Sequence, residues 1–488
     1  MAMDIAHKDH LLAAYHGLLG ATALLVCVVA EALVFALRRS FTLYLVPVSA
    51  MLLLGRYRRR AVGSAGVRVG LVDFSCLKPP RRLRLPLAGL LEHMELGGFF
   101  DRGSIEFMTK AIRSSGMGNE TYLPPALHFL PPASTHAHAI REAHMLFFPA
   151  LDDLFRKSSV PPSAVGALVV NCSGFCPAPS LAAIIANRYR MRADVKLFNL
   201  SGMGCSAGSI GVDVAAGLLR AHALSYAMVV SAEILTVGWY CGKDHGKLLL
   251  NCNFRTGCSA ALLTNSTTAP AKYRLVNVTR TNTTANDLSY RAGYREEDDE
   301  GITGFTLGQG VGRMVSELLR AHLLTLSLSI LPWREKARYA AMLLLSMRRR
   351  GQEKLAGSSI SGSGASAPLP DFRAAADHFC LPSSGKPMIL RLGKGLGLGE
   401  RDMDAALMTF HRFGNQSAAS LWYQLAYLEA KGRVRKGDTV WHLGIGSGLK
   451  ANSLVWERIA VADDVAAGGR DALGPWMECI HQYPVWEE

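Results

Sequence analysis

The chain has 488 residues, 49% of them hydrophobic, so it can bury a large core, and wholesale disorder is excluded. Lysine and arginine outnumber aspartate and glutamate by 53 to 39, a formal charge of +14, yet the excess sits in short blocks: Arg38-Arg39, RYRRR at 56–60, RRLR at 81–84 and RRR at 348–350. Two of these blocks flank strongly apolar runs, and no zinc-finger spacing or aromatic-basic interleaving accompanies them, which points to a membrane surface and away from nucleic acid.

In chain order, residues 17–37, GLLGATALLVCVVAEALVFAL, hold 21 positions with one ionisable residue, Glu31. At about 1.5 Å of rise per residue this predicts a transmembrane helix. The run at 40–55, SFTLYLVPVSAMLLLG, is shorter and contains Pro47, so it predicts a short second span or a re-entrant segment. Residues 1–62 together read as a membrane anchor. With the larger basic block RYRRR on the cytosolic side, the main domain faces the cytosol, and the acceptor sequons at Asn119, Asn265 and Asn277 are expected to carry no glycan.

From about residue 67 short apolar runs alternate with amphipathic ones. AVGALVVNCS (164–173) predicts a strand, PSLAAIIANRYRM (179–191) a helix with Ser180 as N-cap, and DVKLFNL (194–200) a strand. Ile210, Val214 and Leu218 recur at helical spacing, and SYAMVVSAE (225–233) and CSAALLTN (258–265) return to buried-strand character. WREKARYAAMLLLSMRRR (333–350) is an amphipathic helix with basic ends, suited either to a membrane surface or to a core. AGSSISGSGASAPLP (356–370) is a Gly/Ser/Pro linker, expected to be mobile. SAASLWYQLAYLEAKG (417–432) predicts a helix with Ser417 near its cap, and DTVWHLGIG (438–446) a strand. Strands alternating with helices imply α/β layers.

The ten irregularly spaced cysteines, in a chain without a cleavable signal peptide, read as reduced thiols. NCSGFC (Cys172, Cys176) lacks a second ligand pair, REEDDE (295–300) reads as a solvated acidic loop and GKGLGLG (393–399) as a turn, so no metal or dinucleotide site is expected. NLSGMGCSAGSIG (199–211) is different. A strand ending in a Gly-rich turn that opens a helix puts Cys205 at a helix N-terminus, where free amides favour thiolate, and small neighbours let an acyl group approach. Cys205 is the candidate nucleophile, with a buried structural thiol as the alternative.

The runs NCSGFCPAPSL, LFNLSGMGCSAG, YAMVVSAEILTVGWYCG, LLNCNFRTG, HRFGNQSAASLWYQLAYLEAKGRVRKGD and GIGSGLKANS, in this order, closely resemble the plant 3-ketoacyl-CoA synthases, the membrane-bound condensing enzymes of very-long-chain fatty acid elongation. The resemblance extends from about residue 69 to residue 456. It implies a thiolase-like five-layer α/β fold of two similar halves after the anchor: 63–270 carrying the nucleophile, 271–460 with the linker at about 351–370, and a tail at 461–488. It implies acyl transfer from a long-chain acyl-CoA to Cys205, decarboxylation of malonyl-CoA and carbon–carbon bond formation, with CoA thioesters as substrates and no resident cofactor. Asn415 matches the asparagine that hydrogen-bonds the malonyl thioester oxygen, and Gly446, Ser447 and Gly448 match a Gly-rich loop near the cysteine. The implied setting is the endoplasmic reticulum membrane, as a homodimer or with other elongase subunits.

One departure stands out. HFCLPSSGKP (378–387) lies where the family reads His-Phe-Cys-Ile-His-Ala-Gly-Gly-Arg, and the catalytic histidine, the second of that run, falls on Pro382. Proline supplies neither a side-chain donor nor a base. His378 and His411 match further family histidines and are kept as candidate catalytic residues. His442 is either a compensating donor or a strand-end residue with local bonds. Asn282 and Ala451 also replace the family's usual histidine and cysteine. The expected function is a 3-ketoacyl-CoA synthase; a catalytically impaired relative that binds or regulates active elongase subunits is the alternative. A soluble polyketide synthase of the same fold is disfavoured by the N-terminal segments.

Overall fold

The computed structural model describes residues 67–308, 310–355, 369–460 and 474–485, together with Val28. The expected transmembrane helix at 17–37, the segment at 40–55 and residues 356–368 of the linker lie outside the described residues. Among the described residues no helix is long and apolar enough to cross a membrane. The fold belongs to Arg68–Glu488, the second of two units into which the chain divides after Val67.

Eleven described strands are β1 (Gly70–Cys76), β2 (Val165–Asn171), β3 (Lys196–Leu200), β4 (Tyr226–Ala232), β5 (Cys258–Thr264), β6 (Tyr273–Asn282), β7 (Gly293–Glu297), β8 (Thr303–Leu307), β9 (His378–Cys380), β10 (Thr439–Gly446) and β11 (Lys450–Arg458). β7 and β8 form a separate hairpin; the other nine build one mixed sheet in the order β3-β2-β4-β5-β1-β6-β11-β10-β9. β2 (VGALVVN) and β5 (CSAALLT) are buried along their whole length, as unbroken apolar strands must be when both faces are covered.

The pairing repeats. β2 lies parallel to β4, β4 antiparallel to β5 and β5 antiparallel to β1; β9 lies parallel to β10, β10 antiparallel to β11 and β11 antiparallel to β6. Each half is thus the same four-strand unit, with β3 added at the outer edge of the first. β1 joins them by pairing with β6 at Gly70↔Arg274 and Leu71↔Tyr273.

Helices fill three apolar seams. The helix Ala207–Ala221 packs on β2 and β4 of the first half and on β10 and β11 of the second, while the helix Ser420–Ala430 packs on β1, β9 and β10. Their side chains share a central core with Trp422, Trp456 and Trp476. The helix His136–Ser158 covers β2, β4 and β5 from outside, and Glu400–Phe413 with Val311–Ile330 covers β9, β10 and β11. Ser180 caps its helix as the spacing predicts, its side chain accepting from Ala183 N at 3.2 Å, a bond worth about 1 kcal/mol.

The amphipathic stretch forms the helix Trp333–Leu355, with Trp333, Leu344 and Leu345 more than half exposed. GKGLGLG ends the helix Lys386–Leu396 in a turn, and Glu296 and Asp298 of REEDDE meet Lys247 and Tyr240. Among the described residues no group of His, Cys, Asp and Glu stands together as a metal site, and nine of the cysteines are free thiols.

Two buried histidines couple the core to pH. Burial lowers His322 to about 4 and His442 to about 3 from an ordinary value near 6.5. Each therefore contributes stability that is complete above about 6.5 and is lost as pH falls toward those values. Glu142, raised by burial to about 7, acts in the opposite sense, its contribution fading as pH rises from its ordinary 4.5. Comparing wild type with His442→Gln cancels the other groups: between pH 6.5 and 4 the variant should lose stability less steeply, by about 1.4 kcal/mol per pH unit, in denaturant titrations at stepped pH. Parallel slopes would show that His442 does not stay neutral when folded.

Candidate active site

The nucleophile turn that follows β3 packs against the end of β10, although the two strands lie far apart in the sheet order. Cys205 sits in the single 3₁₀ turn Gly204–Ser206 that leads into Ala207–Ala221. Gly446 and Ser447, at the β10–β11 turn, press directly against it: a Cβ on Gly446 would come within 2.1 Å of Met203 O, and one on Gly204 within 2.6 Å of Ser447 N. Glycine at both positions is a steric requirement of this approach. Ser447 Oγ donates to Gly202 O at 3.1 Å, and Gly204 N donates to Ser173 Oγ at 2.9 Å.

Asn415 arrives from the other half, just after the helix Glu400–Phe413. Its backbone is clamped in the segment that carries NCNFR: Asn415 N donates to Asn253 O at 3.0 Å, and Arg255 N donates to Asn415 O at 2.9 Å. Arg255 is fully buried, its guanidinium donating to Thr121 Oγ1, Asn251 O and Phe254 O, so it holds the loop by hydrogen bonds alone. Asn415 Oδ1 accepts from Ser417 N at 2.8 Å, which leaves the amide –NH₂ as the group available to Cys205.

These residues border one cavity of about 560 Å³. Cys205, Glu233, Asn415 and Ser417 stand with Gly446, Ser447 and Gly448 in its lining, and Ile234, Leu235, Leu250, Phe254, Phe305 and Leu307 add apolar wall. Burial pushes the Cys205 thiol up to about 11; hydrogen bonding with Ser417 and Asn415 opposes this, and the nearby Glu233 adds to it. Desolvation thus outweighs the helix N-terminus that the sequence credits with favouring thiolate. The resting sulfur is a thiol and needs a base.

None of the described residues lining the cavity is a histidine. His378 Nε2 lies 3.0 Å from Asp438 Oδ2, tying β9 to the turn before β10. His411 Nδ1 lies 3.3 Å from the Tyr483 hydroxyl, and its ring packs on Gly118. The structure brings together Cys205, Asn415 and the Gly446–Gly448 loop, and leaves His378 and His411 outside. His442 is also outside, buried with its ring edge-on to Trp422, centroids 5.3 Å apart, and its Nε2 without a partner; that excludes it as a compensating donor. Pro382 is buried beyond β9, where Gln424 holds Leu381 N and O at 2.7 Å each, and Ser384 is the residue of that loop that reaches the cavity lining.

Ser417 differs from its expected part. The helix starts at Ser420 after a 3₁₀ turn, and Ser417 caps nothing. It is held in the left-handed region at φ 54°, and its hydroxyl donates to Glu233 Oε2 at 3.3 Å. Neither Ser417 nor Glu233 is recognised as a site residue from the sequence; the one available signal is an acid ending the apolar run SYAMVVSAE.

Residues 64–349 match the family described as FAE1/type III polyketide synthase-like protein, and residues 373–458 match the C-terminal region of 3-oxoacyl-[acyl-carrier-protein] synthase III. The chain is 42% identical over 419 residues to 3-ketoacyl-CoA synthase 4 of Arabidopsis thaliana, covering 86% of this chain and 78% of that one. It is also 42% identical over 418 residues to 3-ketoacyl-CoA synthase 6 of the same plant, covering 85% and 80%. The chain belongs to the 3-ketoacyl-CoA synthase family. Its fold is similar to that of tetrahydroxynaphthalene synthase from Streptomyces coelicolor A3(2), a bacterial type III polyketide synthase, with TM-score 0.61 at 15% identity over 80% of this chain and all of that one. PKS-I of the brown alga Ectocarpus siliculosus gives TM-score 0.59 at 16% identity, over 80% and 98%. The family's condensing enzymes are acyltransferases, and among the described residues this member's cavity holds a cysteine and an asparagine with no histidine beside them.

Proposed function

We propose that the protein condenses a long-chain acyl-CoA with malonyl-CoA to give 3-ketoacyl-CoA, CO₂ and CoA. The observation that carries this is the meeting of Cys205 and Asn415, from the two halves of the sheet, at one apolar-walled cavity. Cys205 Sγ attacks the acyl thioester carbonyl, the bond from that carbon to CoA sulfur breaks, and CoA leaves as its thiol with the proton that Cys205 gives up. The apolar wall around Phe254, Phe305 and Leu307 suits the hydrocarbon chain. Malonyl-CoA then loses CO₂, the electron pair of the broken bond moves onto the thioester oxygen as an enolate, and the Asn415 amide donates to that oxygen. The enolate carbon attacks the acyl-enzyme carbonyl, the carbon–sulfur bond to Cys205 breaks, and Cys205 regains a proton drawn from solvent water. Amides of the Gly446–Gly448 loop are the groups we assign to the substrate thioester.

We extend the reading to the setting. The apolar run at 17–37 supports anchorage in the endoplasmic reticulum membrane with the catalytic unit in the cytosol, and the exposed Trp333, Leu344 and Leu345 support contact with that surface. The three apolar seams support the five-layer arrangement, and a homodimer or an assembly with other elongase subunits completes the proposal.

The deciding experiment supplies the full-length protein in membranes with long-chain acyl-CoAs and labelled malonyl-CoA. Labelled 3-ketoacyl-CoA from wild type is expected, and Pro382→His, at a buried position outside the cavity lining, should not raise its rate. Product from Pro382→His and none from wild type would show that the natural chain does not turn over.

A further inference from the structure

Cys205 stands beside a carboxylate in a cavity whose described lining holds no histidine, where the cations Arg295 and Lys450 are turned to backbone oxygens and burial pushes the thiol up to about 11. The groups around Glu233 define what it can do. Glu233 Oε1 accepts from Gly174 N at 2.7 Å and lies 3.6 Å from Cys172 Sγ. Oε2 is turned to the Ser417 hydroxyl at 3.3 Å. The turn Gly204–Ser206 that carries Cys205 packs on the turn Ser417–Ala419, and Cys205 and Ser417 line the cavity together. The hydroxyl therefore stands between a thiol and a carboxylate.

The charged and titratable groups facing Glu233 do not neutralise it. The Arg295 guanidinium donates to Gly174 O at 2.8 Å and Val237 O at 3.1 Å. Both oxygens of Glu142 accept backbone N–H groups, from Leu235 and Thr236 at 2.9 Å. Cys172 is a buried thiol whose ionisation burial opposes. Burial also raises Glu233 itself above the ordinary carboxylate range, the direction a general base needs. The left-handed backbone of Ser417, locked by its N–H on Asn415 Oδ1, is local strain of the kind that persists where the surrounding structure imposes it.

We propose that Ser417 and Glu233 form a proton relay to Cys205, in the part that a histidine would otherwise play. As Cys205 Sγ attacks the acyl thioester, its proton passes to Ser417 Oγ while the Ser417 hydroxyl proton passes to Glu233 Oε2. The bond from the acyl carbon to CoA sulfur breaks, and Glu233 returns a proton through the same hydroxyl so that CoA departs as a thiol. Cys205 contacts substrate and is the catalytic residue; Glu233 acts through Ser417 and is a positioning and proton-holding residue. The inference rests on the condensing activity above for the identity of the acyl donor alone.

The test separates the two. Alkylation of Cys205 by iodoacetamide, read by peptide mass from acid to alkaline pH on the full-length protein, needs no acyl donor. With the relay, the Glu233–Cys205 pair titrates as a unit and the wild-type rate rises in two steps. Glu233→Gln and Ser417→Gly should each abolish the lower step and keep the upper, with Glu233→Asp retaining both; glycine suits the left-handed backbone at 417. In a parallel arm, transfer from a long-chain acyl-CoA to Cys205 should slow by about 100 to 10,000-fold in Glu233→Gln with little change in KM. A single step in wild type, or two steps in Glu233→Gln, overturns the relay. Two steps in wild type and one in the variants, without acyl transfer from any acyl-CoA, upholds the relay and overturns the condensing reading instead.

Discussion

Cys205→Ser is expected to bring 3-ketoacyl-CoA formation below detection, a fall of roughly 10,000-fold or more. Serine fits the turn, since the residue is small and Gly204 and Gly446 set the packing, so the loss is chemical. An alkoxide is far harder to form than a thiolate in a site where burial already lifts the thiol to about 11. The readout is twofold: labelled product from malonyl-CoA, and the acyl adduct on intact protein. Product persisting at a hundredth of the wild-type rate would move the nucleophile to another residue.

Asn415→Ala is expected to lower condensation by about 100 to 1,000-fold, the usual loss on removing one oxyanion donor, while leaving acyl-enzyme on Cys205 detectable. Release of labelled CO₂ from carboxyl-labelled malonyl-CoA isolates the step. Asn415→Asp keeps the oxygen that accepts from Ser417 N but replaces the donor by an anion, so it should decarboxylate no faster than the alanine variant. An aspartate variant near wild-type rate would assign enolate stabilisation to another group.

Much of this was readable in the chain because it rests on local signals. The strands β2, β4 and β5 are short apolar runs, and Ser180 announces its helix by side-chain chemistry at a fixed offset. Cys205 is recognisable because a close backbone approach demands small residues over a stretch of several positions, and the Gly446–Gly448 loop through the family resemblance. The relay was not, since Ser417 and Glu233 are 184 residues apart and each has a plausible local explanation: a serine before a helix looks like a cap, and an acid after a strand looks like solvent. His378 and His411 show the converse. They sit in the matching segments, yet Asp438 and Tyr483 engage them away from the cavity, and pairings of that kind depend on tertiary placement. The departure at Pro382 was visible in one residue; that Ser384 alone of its loop reaches the cavity lining was not.

The position of β1 has a consequence for biogenesis. Its seven residues lie between β5 and β6 in the finished sheet, yet they leave the ribosome first, and β5 begins roughly 180 residues later, about 10 to 40 s of synthesis at ordinary elongation rates. Through that interval an almost entirely buried strand waits without a partner. Nascent chains of this protein should therefore depend on chaperone cover until β5 and β6 emerge, and a truncated product ending before residue 258 would expose β1 as an edge open to aggregation.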